Sequence, residues 1–386
     1  MTASDPSALD SSEPILLDRP LALTELQTPA LVLDLEAFER NLARMAEHAI
    51  AHGIGLRPHA KTHRCPIVAH RQLALGALGV CAAKVAEAEV LVEAGIGEVL
   101  VTSPVVTVEK IRRVVALATR APGLRIVVDS ERGVDLLDQA ARAAGVVVGV
   151  LVDLDAGIHR TGVAPGAEAL ALVERVAACD GLRFDGLQAY AGHVQHVRGF
   201  ERRRERSIAA LEPCLETRRL VESAGHEVGI MTGGGTGTFD IDCELDGMTD
   251  LQVGSYVFMD TQYRDVGGPR GDQLDAFEPS LFVLTTAISQ PVPTMITVDA
   301  GFKAVAYEPD SPPRFRHCPE HVYHYAGDEH GMVELAEERP ALTLGDKAEL
   351  VVSHCDPTVN LYDVYHVASG GEVVELWPIA ARGRSQ

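Results

Sequence analysis

The sequence has little positive charge to offer a polyanion. Its 34 Lys and Arg face 55 Asp and Glu, which leaves a net charge of −21. A surface that acidic repels phosphate backbones and anionic headgroups, so neither nucleic acid nor a charged membrane is an expected partner. Long apolar runs are also missing. The stretches that come nearest, such as 146–152, are far too short to span a bilayer. No CxxC occurs, and the seven cysteines (65, 81, 179, 214, 243, 318 and 355) are odd in number and scattered. Reduced thiols in a cytoplasmic chain are therefore expected, rather than a disulfide framework. The first residues have no basic stretch followed by an apolar one, and do not read as a secretory signal. Rich in Ser, Asp and Pro, residues 1 to about 20 read as a loose arm. No internal repeat or low-complexity tract stands out.

What is present is apolar content and alternation. The 386 residues are 46% apolar, too long for one ordinary domain and sufficient for a large core. Eight β-branched runs follow one another at 54–58, 79–84, 98–103, 124–129, 146–155, 184–190, 227–231 and 250–258. Stretches of helical period, such as 85–95 and 200–225, separate most of them. That alternation predicts an α/β fold with a parallel sheet. Eight units in about 210 residues favour a closed (β/α)8 TIM-type barrel, with an open doubly wound sheet as the alternative. After residue 265 the helical periodicity fades. Strands are expected at 281–290, 294–299, 347–353 and 372–377, with 307–320 a loop carrying Pro309, Pro312, Pro313 and Pro319. The reading is an arm at 1–27, a barrel at 28–265 and a mostly-β C-terminal domain at 266–386. A strand at 30–35 and a helix at 36–50 precede the eight and are expected to link the domains.

Polar residues gather at the ends of the barrel runs, where barrels place their active sites. Lys61 lies in RPHAKTH (57–63), at the end of the first run. A lysine there can form a Schiff base if burial lowers its pKa. Strand alternation would put His59 on the same side. TGGGTG (232–237) follows the seventh run, and Gly254-Ser255-Tyr256 lies in the eighth. Glycine amides and Thr or Ser hydroxyls suit an anion, and the loops after strands 7 and 8 are where barrels commonly hold phosphate. Asp155 to Arg160 follow the fifth run; Tyr190, His193 and His196 follow the sixth. In the C-terminal part, His354 and Asp356 flank Cys355. In extended chain they would share one side and could hold a metal with open positions. The sequence DEHG (328–331) is a further polar cluster.

Together, QTPALVLDL (27–35), RPHAKTH, GLQAYAGHVQH (186–196), TGGGTG, LQVGSYVFMD (251–260), DAGFK (299–303), DEHG and SHCDPTVNLYD (353–363) closely resemble the D-threonine aldolase and D-serine dehydratase family, relatives of alanine racemase. The resemblance covers nearly the whole chain. It implies a pyridoxal 5'-phosphate enzyme with Lys61 carrying the cofactor, Arg160 at the phenolic oxygen and Tyr190 near the ring. Thr232, Gly234, Gly235, Thr236, Gly254, Ser255 and Tyr256 would hold the phosphate. His354 and Asp356 would bind a divalent metal, Mn2+ foremost, with Zn2+ or Mg2+ as alternatives. Active sites in this family usually lie where one subunit of a dimer meets the other, so a homodimer acting on a small amino acid is implied. The dehydratase branch typically shows His-x-Cys, and the aldolase branch His-x-Asp. Asp356 therefore favours a lyase that cleaves D-3-hydroxyamino acids to glycine and an aldehyde, with His196, His193 and His59 as candidate acid–base groups beside Lys61. The alternatives are a D-serine dehydratase-type lyase and a 3-hydroxy-D-aspartate aldolase. Ala82-Ala83-Lys84 and Ala191 depart from the aldolase pattern, and His193 resembles a position of the dehydratase branch.

Overall fold

A computed structural model describes residues 12–336 and 342–386. In chain order, β1 (Ile15–Ala22) and β2 (Ala30–Asp34) precede a helix, Leu35–His52. The next eight strands are β3 (Gly55–Leu56), β4 (Val80–Ala82), β5 (Val99–Val101), β6 (Arg125–Val128), β7 (Val148–Leu154), β8 (Leu182–Ala189), β9 (Ile230–Gly233) and β10 (Asp250–Leu251). The rest are β11 (Leu281–Val292), β12 (Met295–Val298), β13 (Arg314–Phe315), β14 (Val322–Tyr325), β15 (Gly331–Glu334), β16 (Lys347–Val351), β17 (Val364–Ser369) and β18 (Glu372–Pro378).

Strands β3 to β10 form one parallel sheet in the order β3-β10-β9-β8-β7-β6-β5-β4. Its two edges meet: His59, just past β3, makes a parallel bridge to Cys81 of β4, and the Ala60 N–H donates to the Cys81 carbonyl at 2.8 Å. The sheet is thus a closed barrel, and the open doubly wound alternative falls. Strands buried on both faces read as near-continuous apolar runs, and all seven residues of β7 are buried, Asp153 the one polar side chain among them. Cys81, Leu100, Val127 and Leu151, one from each of four neighbouring strands, form a cluster of their own, as a filled barrel interior requires.

The helix Leu35–His52 buries Phe38, Leu42, Met45 and Ala49, spaced by four, three and four residues as an amphipathic helix demands. It stops at Gly53, whose φ of 63° is the left-handed conformation that glycine adopts without strain.

The remaining strands form a ten-stranded sheet in the order β1-β18-β17-β2-β11-β12-β15-β14-β13-β16, and β16 also pairs with β11. That last pairing closes β11 to β16 into a small antiparallel barrel, from which β2, β17, β18 and β1 extend. Phe38, Phe258, Tyr365 and Trp377 pack ring on ring in this part, with centroids 5.6–6.3 Å apart. Burying each such side chain is worth about 1.5–3 kcal/mol.

Chain contacts divide the molecule into two units. One holds Met45–Lys61, Val68–Gly254 and Arg384–Gln386; the other holds the described residues up to Arg44, Thr62–Ile67 and Ser255–Gly383. This differs from boundaries at 28, 265 and 266. The strand expected at 30–35 to link the domains is instead an inner strand of the β sheet, antiparallel to β11 and parallel to β17. The expected arm is partly structured: β1 pairs with β18, while residues 1–11 of that arm lie outside the described residues. The loop expected at 307–320 contains β13. Strands β13, β14 and β15 are two to four residues long, too short for a clear alternation, which is why pattern reading passed over them. No helix among the described residues is long and apolar enough to cross a membrane, and all seven cysteines are free thiols.

Candidate functional site

The barrel unit carries Lys61 two residues past the closing bridge. Ala60 to His63 form a turn, so strand alternation does not relate Lys61 to His59. The turn links them directly instead: the Lys61 N–H donates to His59 Nδ1 at 3.4 Å. His59 is buried, and its Nε2 lies 3.1 Å from Thr102 Oγ1. Thr102 Oγ1 also donates to the Ala82 carbonyl, so His59 Nε2–H is the donor of that pair and Nδ1 the acceptor. Both ring nitrogens are thereby engaged, and His59 braces the Lys61 turn. Lys61 itself is half-buried. Arg57 does not join this group. It makes a buried ion pair with Asp250, 3.5 Å away at the start of β10.

Next to His59 lies a buried polar chain of which sequence reasoning named only Thr232. Gln188 Nε2 donates to Asp153 Oδ1 at 2.8 Å and to the Thr102 carbonyl at 3.2 Å. Gln252 Nε2 donates to Gln188 Oε1 at 3.1 Å and to Thr232 Oγ1 at 3.2 Å. Burial pushes the Asp153 carboxyl up to about 6, against hydrogen bonds from Gln188 and Thr161. Thr102, Asp153, Gln188 and Gln252 each sit within an apolar run, and a polar residue in a strand buried on both faces was the available signal.

Loops at the strand ends bring the other barrel candidates together. Leu154 and Val163 bridge across the turn after β7, and Arg160 sits within that loop. Its guanidinium lies 5.7 Å from the ring centre of Tyr190, which follows β8. A Cβ on Gly192 would come within 2.7 Å of that ring, so glycine lets the tyrosine fold over. His193 is exposed on the short turn Gly192–Val194 and lies over Gly157, and His196 is exposed three residues on.

The TGGGTG loop is held from behind. Gln195, between the two histidines, accepts from the Gly237 N–H at 3.1 Å and donates to Thr238 Oγ1 at 2.9 Å. Arg203 Nε donates to the Gly237 carbonyl at 2.6 Å. Asp242 accepts from Thr238 and from Ser207 Oγ, the latter at 2.6 Å. Close packing explains the glycines. A Cβ on Gly237 would sit 2.0 Å from the Gln195 carbonyl oxygen, and one on Gly235 2.6 Å from Gln195 Oε1. Gly234 and Gly235 are both buried, and glycine amides in such a loop suit an anion. Gly237→Ala should thus cost about 1–3 kcal/mol, since the clash is with backbone. Gly235→Ala, which meets only the end of a side chain, should cost less. Chemical unfolding of the two variants checks the order.

Asp242 is fully buried, and that burial raises its carboxyl to about 6 despite the hydroxyls of Ser207 and Thr238. Its folded pKa exceeds the unfolded value, so its contribution to stability is fully present below about pH 4 and is lost as pH rises through about 6. Asp242→Asn is neutral at every pH and does not titrate. Urea unfolding should therefore show the parent losing stability relative to the variant between pH 4.5 and pH 7.5.

The other unit carries the remaining candidates. Ser255 opens a short turn, Ser255–Val257, rather than continuing a strand, and Tyr256 packs its ring 5.6 Å from Phe277. Tyr365 donates its hydroxyl to the His63 carbonyl at 2.6 Å. His354 ends an extended segment, and Cys355–Val359 is a short helix. Alternation thus does not relate His354 to Asp356, which lies in the helix's first turn. What the sequence did not show is Asp260, fully buried, whose Oδ2 is 3.2 Å from His354 Nδ1 and accepts from the Cys355 N–H at 2.9 Å. A carboxylate on one imidazole nitrogen fixes the tautomer and leaves Nε2 as a ligand atom, the usual support of a metal-binding histidine. The DEHG cluster is a surface feature: Lys303 pairs with Glu329 at 2.6 Å and with Asp328 at 3.6 Å.

A closed parallel barrel with a lysine after its first strand, joined to an antiparallel β domain, is the architecture of alanine racemase-like enzymes. Residues 33–262 match the family described as alanine racemase, N-terminal domain, and residues 280–368 match a serine dehydratase domain. The chain belongs to this family, within the group that contains the D-threonine aldolases. It is 42% identical to a D-threonine aldolase of Arthrobacter sp over 364 residues, covering 94% of this chain and 95% of that one. It is 37% identical to a 3-hydroxy-D-aspartate aldolase of Paracoccus denitrificans (strain Pd 1222), covering 94% and 93%. The crystal structure of D-threonine aldolase from Filomicrobium marinum superposes with a TM-score of 0.90 at 40% identity, covering 96% of this chain and all of that one. Membership makes the chain an enzyme and implies pyridoxal phosphate as its cofactor. The half-buried Lys61 and the glycine amides of the TGGGTG loop fit an aldehyde and a phosphate respectively.

Proposed function

We propose that this enzyme cleaves D-3-hydroxyamino acids of the D-threonine type to glycine and an aldehyde, with pyridoxal phosphate and a divalent metal. The donor set carries the reading: His354 backed by Asp260, together with Asp356. An imidazole and a carboxylate suit Zn2+ or Mn2+; the family resemblance puts Mn2+ first, with Zn2+ or Mg2+ as alternatives.

Bound pyridoxal phosphate supplies an electron sink for the charge left at Cα. A divalent cation on His354 and Asp356 supplies Lewis acidity toward a hydroxyl. The protein's own groups do the rest. Lys61 holds the cofactor through its amine. Arg160, set against Tyr190, offers a fixed positive charge to the phenolic oxygen. Thr232, Gly234, Gly235, Thr236, Gly254, Ser255 and Tyr256 are the proposed phosphate donors. His196 or His193, both exposed at the end of β8, accepts the 3-hydroxyl proton. His59 keeps the Lys61 turn in place. The proposed assembly is a homodimer, as the family resemblance implies, and the free thiols support a cytoplasmic setting.

Dehydration is the second reading, favoured by the serine dehydratase match over 280–368. There Lys61 would take the Cα proton and the hydroxyl would leave. To test the first reading, the cofactor-loaded enzyme is given each enantiomer of threonine with Mn2+, with and without chelator. Glycine should form from the D-enantiomer only and cease with chelator. Glycine formed equally from both enantiomers, or undiminished by chelator, would sink it.

A further inference from the structure

Outside the residues placed in catalysis, three metal-binding side chains converge on the barrel unit. His48 and His52 lie one turn apart on the helix Leu35–His52, with ring centres 4.1 Å apart. Cys243 caps the C-terminal end of the short helix Phe239–Asp242. One ligand atom from each residue lies within 4.8 Å of the other two. We propose that His48, His52 and Cys243 form a second metal site, selective for a borderline-soft divalent ion such as Zn2+.

The histidines are already set for it. His52 Nδ1 lies 2.9 Å from the His48 carbonyl oxygen, which can only accept, so Nδ1 carries the proton and Nε2 the lone pair. His48 Nε2 is buried with no hydrogen-bond partner among the described residues. The edge-on Phe239 ring, 4.8 Å away, walls one side of this imidazole. Burial, and then the neighbouring His52, lower the His48 pKa, against a backbone hydrogen bond at Phe239.

The donor chemistry selects the ion. Two imidazoles and a thiolate suit Zn2+ and disfavour Mg2+, Ca2+ and Mn2+, which prefer oxygen. Zinc bonds of about 2.0–2.3 Å at tetrahedral angles put donors roughly 3.5 Å apart, so the side chains close by about 1 Å. The fourth position is left to water. Burial, with Glu244, Asp240 and Asp242, pushes the Cys243 thiol up to about 12. Binding therefore exchanges one thiol proton for the ion: the S–H bond breaks, an S–metal bond forms, and H+ goes to solvent. The same acidic neighbours attract the cation.

The position has a consequence for the TGGGTG loop. Cys243 directly follows Asp242, whose carboxylate holds Thr238 and Ser207. An ion here ties the first long helix to the support of that loop.

Zn2+ binding to the metal-depleted, cofactor-loaded enzyme tests this by equilibrium dialysis, with Co2+ as the spectroscopic probe. Asp356→Ala should still bind one Zn2+ per chain and show the thiolate-to-cobalt charge-transfer band. Cys243→Ser should lose that band and bind Zn2+ at this site at least about 100-fold more weakly. His52→Ala, at an exposed position, should weaken it similarly. The proposal is overturned if Asp356→Ala binds no Zn2+, or if the band survives Cys243→Ser. A parent enzyme that binds one Zn2+, lost in Cys243→Ser and kept in Asp356→Ala, would confirm this site while failing the His354–Asp356 one.

Discussion

Lys61→Ala abolishes the visible absorbance of the lysine-bound cofactor and lowers kcat/KM by roughly 10³–10⁴-fold, the loss expected when the amine that carries the chemistry is removed. The fold should survive, because Lys61 is half-buried in a turn and His59 holds that turn through the backbone amide, which alanine keeps. Two other lysines serve as controls. Lys84 precedes the helix Val85–Glu93, and its N–H donates to Glu87 at 3.3 Å. Lys303 is exposed and paired with Glu329. Lys84→Ala and Lys303→Ala should both keep the band. A band that persists in Lys61→Ala and disappears in either control would move the cofactor to another lysine.

Asp356→Ala should leave that absorbance and the cofactor content unchanged while lowering kcat/KM by roughly 10²–10³-fold, since a Lewis acid is worth several kcal/mol of transition-state stabilisation. Cofactor and metal are assigned to different side chains in different units, so the two losses separate. Excess Mn2+ should not restore the variant. Asp260→Asn should fall between parent and Asp356→Ala, about 10–100-fold down, because it disturbs the His354 tautomer without removing a ligand. Full activity of Asp356→Ala in the presence of chelator would contradict the metal assignment.

The barrel was legible because its strands are buried on both faces and each is followed by a helix or a chemistry-bearing loop. Lys61, TGGGTG and Tyr190 could be placed by counting strands alone. The β domain was less legible. Its short strands β13 to β15 have no room for alternation, and β2 takes its partners from β11 and β17, hundreds of residues away. Pairings of that range leave no local signal. The supporting residues were hidden for a similar reason. Gln195 was visible only as the middle of a His-rich run, yet it holds both Gly237 and Thr238. Asp260 stood 94 residues from His354 and looked like part of a strand end. Alternation failed at Lys61 and at Asp356 because both lie in turns or helix starts, where the two-residue period does not apply.

The central claim is that the bond broken lies between Cα and Cβ. Product analysis from D-threonine, with the cofactor-loaded enzyme and Mn2+, tests it most directly. The account predicts glycine and acetaldehyde in equal amounts, with no ammonia. Ammonia with 2-oxobutanoate, and no glycine, would contradict it.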